Sequence, residues 1–400
     1  MNFDLPWPHR LLIASCAVYF VLFGVLSLAW HADGDDLLIF HAAGSATLQG
    51  LNPYTPGRFS DPFPYPPAWV PFCVLLSLMP APVAVWVWKI LNILFLIGAV
   101  RLSLALMFGE REASPAQRTT VWCYALLLWP TSIALFDGNT PLCVLFFVLL
   151  GLQLARRGHP YAAGACFGFS LIKPNVVLPL FALLLVQAKL RLLLAALIVV
   201  GILTLWGVHL TGIGLGDYFS VLKVYNAANA ATDSSSVGFA KLVAIASGID
   251  SGKARLVAVG TGALVILSLL ALRHRRAWPI RSTERDPALP VFLLLGVGFL
   301  GARGYDLVFV IPIFVWLISL VSAPRWLRRP ALLLAVSFVI PQRAIELAYE
   351  RVLSKILPLP VFDVLLSPFR SWAVLALLLL SVLLLLRLSL DGSARAHATV

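Results

Sequence analysis

Long unbroken apolar runs, many of about 17 to 25 residues, fill this chain from end to end and are separated by short polar breaks. The runs are continuous rather than alternating, which points to helices and away from the period-two pattern of a membrane barrel. A helix needs about 20 apolar residues to cross the roughly 30 Å hydrocarbon layer, where every backbone polar group must find an internal partner. The pattern predicts twelve crossings: 11–30, 83–107, 119–136, 139–155, 161–172, 175–188, 190–210, 254–272, 288–302, 306–322, 330–348 and 370–389. The fold class read from it is all-α, a polytopic membrane helical bundle of about twelve transmembrane helices. Spans 161–172 and 175–188 are short and are parted by Lys173-Pro174-Asn175, so they are expected to dip or tilt and to open polar groups to a cavity. Pro66 to Met79, about 14 residues long, is below spanning length and is expected as a re-entrant or surface helix. Arg10 followed by 11–30 has the outline of a signal sequence but is too long and lacks a small-residue cleavage site, which favours a retained first helix.

Composition removes the soluble alternatives. A chain that is 60% hydrophobic and 12% charged, with a mean hydropathy of +0.92, has no water-soluble core large enough to hide its apolar residues. Lys and Arg are retained on the cytoplasmic side of short loops. With the N-terminus inside, that side collects 18 of the 30 basic residues and 6 of the 18 acids, so the whole formal charge of +12 lies there. Both termini are then cytoplasmic. The basic balance fits topology and contact with anionic membrane lipids, and no basic stripe with interleaved aromatics suggests nucleic acid. The five cysteines (Cys16, Cys73, Cys123, Cys143 and Cys166) are single and apolar in setting. Organisation is read as one membrane domain over 1–400: a catalytic half 1–210 with an outer loop 31–82, a second outer loop 211–253, and C-terminal helices 254–400.

Polar residues that do not belong in a membrane gather on the outer side. They are Asp33, Asp35 and Asp36, then Asp137-Gly138-Asn139, then Lys173-Pro174-Asn175, then Arg303-Gly304-Tyr305-Asp306. Ionisable groups at helix ends are costly to desolvate, and four such groups on one face suggest one shared site. Asp36, Phe40 and Ala43 fall on one helical face, and Gly50-Leu51-Asn52-Pro53-Tyr54 reads as the break that ends that helix. Phe63-Pro64-Tyr65-Pro66-Pro67-Ala68-Trp69 supplies rigid turns and rings for a lid or an interfacial anchor. Plainer readings stand beside these: a capping turn for Asp137 to Asn139, a snorkelling Lys173, a helix start at Tyr305-Asp306. His31 and His41 lack matched carboxylates, so no metal and no other cofactor is expected. Residues 211–253, rich in Gly, Ala, Ser and Asn, read as acceptor-binding surface or merely mobile loop. No Walker or Rossmann glycine pattern and no Ser-His-Asp motif in a matching context is present.

In order along the chain, Gly34-Asp35-Asp36 with Phe40 and Ala42-Ala43, Gly50 to Tyr54, Tyr65-Pro66-Pro67, Trp86 to Asn92, Gly138-Asn139, Gly164 through Ile172-Lys173-Pro174, and Tyr305-Asp306-Leu307 resemble glycosyltransferase family 87 of the GT-C superfamily. This group includes bacterial polyprenyl-phosphate-mannose-dependent mannosyltransferases. The resemblance spans roughly residues 30 to 310, with Gly138-Asn139 standing where Gly-Gln is often seen. It implies a GT-C bundle with a catalytic first outer loop. It also implies a transferase that moves a hexose, mannose above all, from a polyprenyl-phosphate donor to a lipid or glycan acceptor at the outer face of the plasma membrane, without a metal. Asp36 matches the position of the general base. The departing phosphate calls for a cation, for which Lys173 ranks first and Arg303 second. Substrate contacts are expected from Asp35, Phe40, Tyr54, Tyr65, Asn139, Tyr305 and Asp306. The competing reading is a transporter or flippase of a lipid-linked sugar, although a carrier should place polar groups at the midplane and on both sides.

Overall fold

The computed structural model describes residues 13, 14, 16, 18, 19, 35–55, 63–109, 112–187, 189–228, 236–275, 288–300, 302–320, 323–351, 354 and 362–397. Most of the expected first span, 11–30, lies outside the described residues, as does Asp33. Residues 13, 14, 16, 18 and 19 are helical, and the Tyr19 hydroxyl is 3.3 Å from that of Ser132.

The helices run in chain order as α1 (Asp35–Leu48), α2 (Val70–Ser77), α3 (Ala81–Phe108), α4 (Pro115–Leu127), α5 (Trp129–Phe136), α6 (Pro141–Arg156), α7 (Pro160–Ser170), α8 (Pro174–Val186), α9 (Leu190–Thr211), α10 (Leu215–Ala228), α11 (Phe239–Ser247), α12 (Ser251–Arg275), α13 (Ala288–Phe299), α14 (Val310–Ser319), α15 (Arg325–Ser337), α16 (Gln342–Arg351) and α17 (Phe369–His397). A 3-10 turn, Pro67–Trp69, leads into α2, and a second, Gly304–Phe309, leads into α14. Strands β1 (Ser236–Val237) and β2 (Ala302–Arg303) pair antiparallel, Ser236 opposite Arg303 and Val237 opposite Ala302.

Proline sets many of the starts. Pro115, Pro141, Pro160 and Pro174 each occupy the first turn of a helix, where the missing N–H costs nothing and the fixed φ is already helical. Ser114 adds a reciprocal cap to α4: its Oγ accepts the Gln117 N–H at 3.2 Å, and Gln117 Oε1 accepts the Ser114 N–H at 2.9 Å. The expected span 119–136 is bent by 57° between α4 and α5. Leu128 is extended at the break because Pro130 has no N–H to continue the ladder, and its ring crowds the preceding turn.

Four helices among the described residues are long and apolar enough to cross a membrane, α3, α9, 251–272 of α12 and 369–387 of α17; the bent α4–α5 pair makes five. The chain is thus a multi-pass membrane protein, and the described residues do not confirm the expected count of twelve crossings. Apart from 11–30, which lies mostly outside the described residues, the other predicted spans contain shorter helices, and 330–348 is broken into α15 and α16 because Pro341 interrupts the hydrogen-bond ladder after Phe338. Within segment 211–253, read as an outer loop, the described residues include α10, β1, α11 and the start of α12. Pro66 to Met79 contains a 3-10 turn and the short helix α2, packed against α1 and below spanning length.

At the centre, every residue of α13 is buried, and α14 is buried through Leu317. α13 packs against α8 and α17, and α14 against α3. Small residues allow close crossings: a Cβ on Gly164 would stand 2.4 Å from the Leu192 carbonyl oxygen, and one on Gly168 2.6 Å from that of Ala196, which seats α7 on α9. By contrast, under a quarter of the most apolar window of α9 and of α12 is buried. Their exposed leucines and isoleucines form the surface suited to lipid.

Candidate active site

The turn between α5 and α6 anchors α1. The backbone N–H groups of Asp36 and Leu37 donate to the Asp137 carbonyl at 3.1 and 3.3 Å, so the first turn of α1 is tied to residue 137. Gly138 has φ +74°, and its carbonyl accepts the Trp88 indole N–H at 2.6 Å. A Cβ at Gly138 would lie 2.9 Å from Leu37 Cβ, so only glycine fits this turn without a shift. Asn139 follows, fully buried, and its Nδ2 donates to Asp36 Oδ2.

Opposite this turn, Lys173 begins α8 and meets the 3-10 turn before α14. Lys173 Nζ lies 2.5 Å from Asp306 Oδ1, with both side chains buried, and sits 4.3 Å from the centre of the Tyr305 ring. Asp306 Oδ2 accepts the Arg303 backbone N–H at 2.9 Å. The Arg303 guanidinium donates through Nη2 to the Tyr225 hydroxyl at 3.0 Å, linking β2 to α10. The lysine charge is thus neutralised by a buried carboxylate and further satisfied by an aromatic face.

These groups border one cavity of about 670 Å³. Asp36, Tyr65, Lys173, Arg303, Tyr305 and Asp306 all line it, so residues far apart in sequence converge there. Burial, then the nearby Tyr305 phenol and Asp36 carboxylate, push the Tyr65 phenol well above its ordinary range, which keeps it a hydroxyl. Phe40 and Tyr54 do not line the cavity. Phe40 is buried edge-on to Tyr65, ring centres 4.7 Å apart, and the Tyr54 hydroxyl donates to the Tyr65 carbonyl at 2.8 Å, so both support the wall. Asn139 stands behind Asp36 rather than on the lining. Asp35 is the first residue of α1, and its side chain lies outside the described residues. His41 Nε2 bonds to the Met79 carbonyl at 2.9 Å, while His31 lies outside the described residues.

Sequence reasoning offered 211–253 as acceptor-binding surface but named none of the residues by which 218–255 line the cavity. Tyr218, Leu222 and Tyr225 line the cavity from one face of α10, and Lys241 and Arg255 add cations. Their helical spacing of four and three was a usable signal for the first three. Lys241, a lone charge in an apolar stretch, was another. With Lys173 and Arg303 the lining carries four cations against the carboxylates of Asp36 and Asp306, a balance suited to an anionic ligand. Ile39, Val259, Phe299 and Leu300 complete it with apolar surface.

Comparisons with known proteins bear on this geometry. The family model described as Glycosyltransferase family 87 matches residues 63–302, well over half of the chain. The matched stretch contains Tyr65, Asn139 and Lys173, whereas Asp36, Arg303, Tyr305 and Asp306 lie outside it. Among solved structures, the chain is similar to apo ArnT from Cupriavidus metallidurans, at 16% identity and a TM-score of 0.40 over 92% of this chain and 78% of that one. At that score the likeness decides nothing about the site. No curated protein sequence matches the chain.

Proposed function

The chain belongs to glycosyltransferase family 87, and from that premise we propose that it transfers a hexose, mannose in our reading, from a polyprenyl-phosphate carrier to a hydroxyl of a lipid or glycan acceptor. The reaction takes place at the outer face of the plasma membrane, with both termini in the cytoplasm. The charge pattern of the loops supports that orientation.

The observation that carries the reading is the cavity itself, which brings a carboxylate from α1 and guanidinium and ammonium groups from β2 and α8 to one space. Asp36 takes the acceptor proton as the hydroxyl oxygen attacks the anomeric carbon. The bond between that carbon and the phosphate oxygen breaks, and polyprenyl phosphate leaves with one more negative charge than the donor held. Lys173 and Arg303, both on the lining, stabilise that charge as it develops. Tyr65, Tyr305 and Asp306 offer hydrogen-bonding groups to the sugar. The apolar lining suits the first isoprene units of the carrier, and Phe40, Tyr54 and Asn139 hold the wall that faces them. Asp35 is assigned a substrate contact beside the base.

The test uses purified protein in detergent with labelled polyprenyl-phosphate-mannose and extracted envelope lipids. Asp36→Asn should abolish formation of the labelled product while leaving the thermal unfolding profile unchanged. Full transfer by that variant removes Asp36 from the mechanism.

A further inference from the structure

We propose that Arg255 of α12 and Arg303 of β2 form a two-guanidinium clamp for the phosphate of the donor carrier, with the first isoprene units laid along α12 past Val259. This inference rests on the reading of the donor as a polyprenyl-phosphate-linked sugar, to which it adds a binding residue and a path for the chain.

Three elements meet at the clamp. Arg303 is placed by the β1–β2 pair, and its Nη2 donates to the Tyr225 hydroxyl at 3.0 Å, with the guanidinium carbon 5.9 Å from the centre of the same ring. α10, which carries Tyr225, packs against α12. Arg255 lies early in α12, half-buried and on the cavity lining, within electrostatic range of both Arg303 and Tyr225. Two guanidinium groups that feel each other's charge repel, and an anion bound by both removes that cost. The clamp does not require either arginine to lack a protein partner. Each guanidinium has five N–H donors in a fork, so one that holds a phenol still offers donors to phosphate oxygens. Lys173 stands 2.5 Å from Asp306, so its charge is already met by a buried carboxylate. Of the four cations on the described lining, Arg255, Arg303 and the buried Lys241 therefore supply most of the positive field, against the remaining carboxylate of Asp36.

The same helix carries the surface for the tail. Arg255 and Val259 are four residues apart, about one turn, and so share a face of α12. Val259 lines the same cavity and is 45% exposed, and Phe299 and Leu300 continue the apolar lining. A Cβ on Gly262 would stand 2.6 Å from Phe299 Cβ, so α13 is seated against α12 just past Val259. Leu256, three residues before Val259, is exposed on the surface suited to lipid, so the path joins the bilayer. Along α12 the lining presents charge and then apolar surface, the order in which a prenyl phosphate presents its head and its tail. That order favours an amphiphile over a free sugar phosphate, which would leave the apolar stretch in contact with water.

The experiment is equilibrium binding of farnesyl phosphate and of farnesol to the full-length protein in detergent, with the donor and acceptor KM for mannosyl transfer measured on the same preparations. The wild-type protein should favour farnesyl phosphate over farnesol. Arg255→Gln should weaken farnesyl phosphate about tenfold, leave farnesol unchanged, and raise the donor KM by about the same factor with the acceptor KM unmoved. Val259→Asn should weaken both ligands alike, by about threefold or more, since the tail is common to them. An unchanged phosphate preference in Arg255→Gln, or an equal loss of both ligands, overturns the clamp. So does a rise confined to the acceptor KM, which would assign the arginines to an anionic acceptor. If Arg255→Gln does not fold, Arg255→Lys, which keeps the charge without the fork, must weaken farnesyl phosphate about threefold with farnesol unchanged, or the proposal falls. Unaltered binding of both ligands by Val259→Asn overturns the chain path. If the wild-type protein forms no mannosylated product while Arg255→Gln still loses its hold on farnesyl phosphate, the mannosyl-transfer reading fails and the clamp stands. Transfer by the wild type with an intact phosphate preference in Arg255→Gln removes Arg255 alone.

Discussion

Neutralising both members of the Lys173–Asp306 pair should cost less than the sum of neutralising each alone. The two groups are 2.5 Å apart, with side chains 11% and 1% exposed, so neither can recover its charge by turning to water. Asp306→Asn places an amide where one oxygen serves the Arg303 N–H and the other faces the ammonium. An amide has one oxygen, so either its NH₂ opposes the ammonium or the Arg303 N–H loses its acceptor. Lys173→Met leaves a buried carboxylate with its cation gone. Each single change should cost about 3 to 5 kcal/mol, the usual consequence of stranding one buried charge. The double variant removes both charges, and its cost should fall short of the sum by about 2 kcal/mol, about thirtyfold in the unfolding equilibrium. Twelve tryptophans make intrinsic fluorescence during unfolding in mixed detergent a suitable readout. Costs that add to within about 0.5 kcal/mol would refute the coupling and show that each charge is satisfied independently.

Two further outcomes follow from the same geometry. Gly138→Ala forces a side chain into φ +74° and against Leu37 Cβ at 2.9 Å, so it should lower stability by about 1 to 2 kcal/mol and reduce transfer by displacing the Asn139 turn; an unchanged melting profile and rate would contradict this. Arg303→Lys keeps the charge but loses the fork that bonds Tyr225, so the KM for the polyprenyl-phosphate donor should rise by about tenfold with a smaller change in kcat, and an unaltered donor KM would place the phosphate elsewhere.

Much of this architecture was legible from apolar runs, because burial in lipid demands them whatever the tertiary packing. Helices α3, α9 and α17 were expected within a few residues of where they lie. What the runs could not reveal is where a hydrophobic stretch bends. Pro130 and Pro341 were visible as letters, yet the pattern around each is as apolar as that of an uninterrupted span. The convergence of Asp36, Lys173 and Arg303 on one space followed from sorting polar residues by membrane side. Their partners did not follow, since the bond between Lys173 and Asp306 joins positions 133 residues apart and leaves no local trace. Phe40 and Tyr54 share the apolar-aromatic character of a ligand contact, and helical spacing alone does not separate a wall from the residue that braces it. The small residues of 211–253 left its role open between acceptor-binding surface and mobile loop, and they gave no sign that Tyr218, Leu222 and Tyr225 of α10 line the cavity.

The two-residue ladder between Ser236 and Arg303 has a mechanical consequence. The backbone that carries Arg303 is bolted to the arm running from α10 to α11, and its side chain is latched to the same arm at Tyr225. A displacement of α10 or β1 must therefore drag the guanidinium along or first break one of the two ties. The position of the guanidinium is thus set from two directions by one neighbour, so a substitution that shifts α10 should be transmitted to Arg303 even where it touches no reacting group.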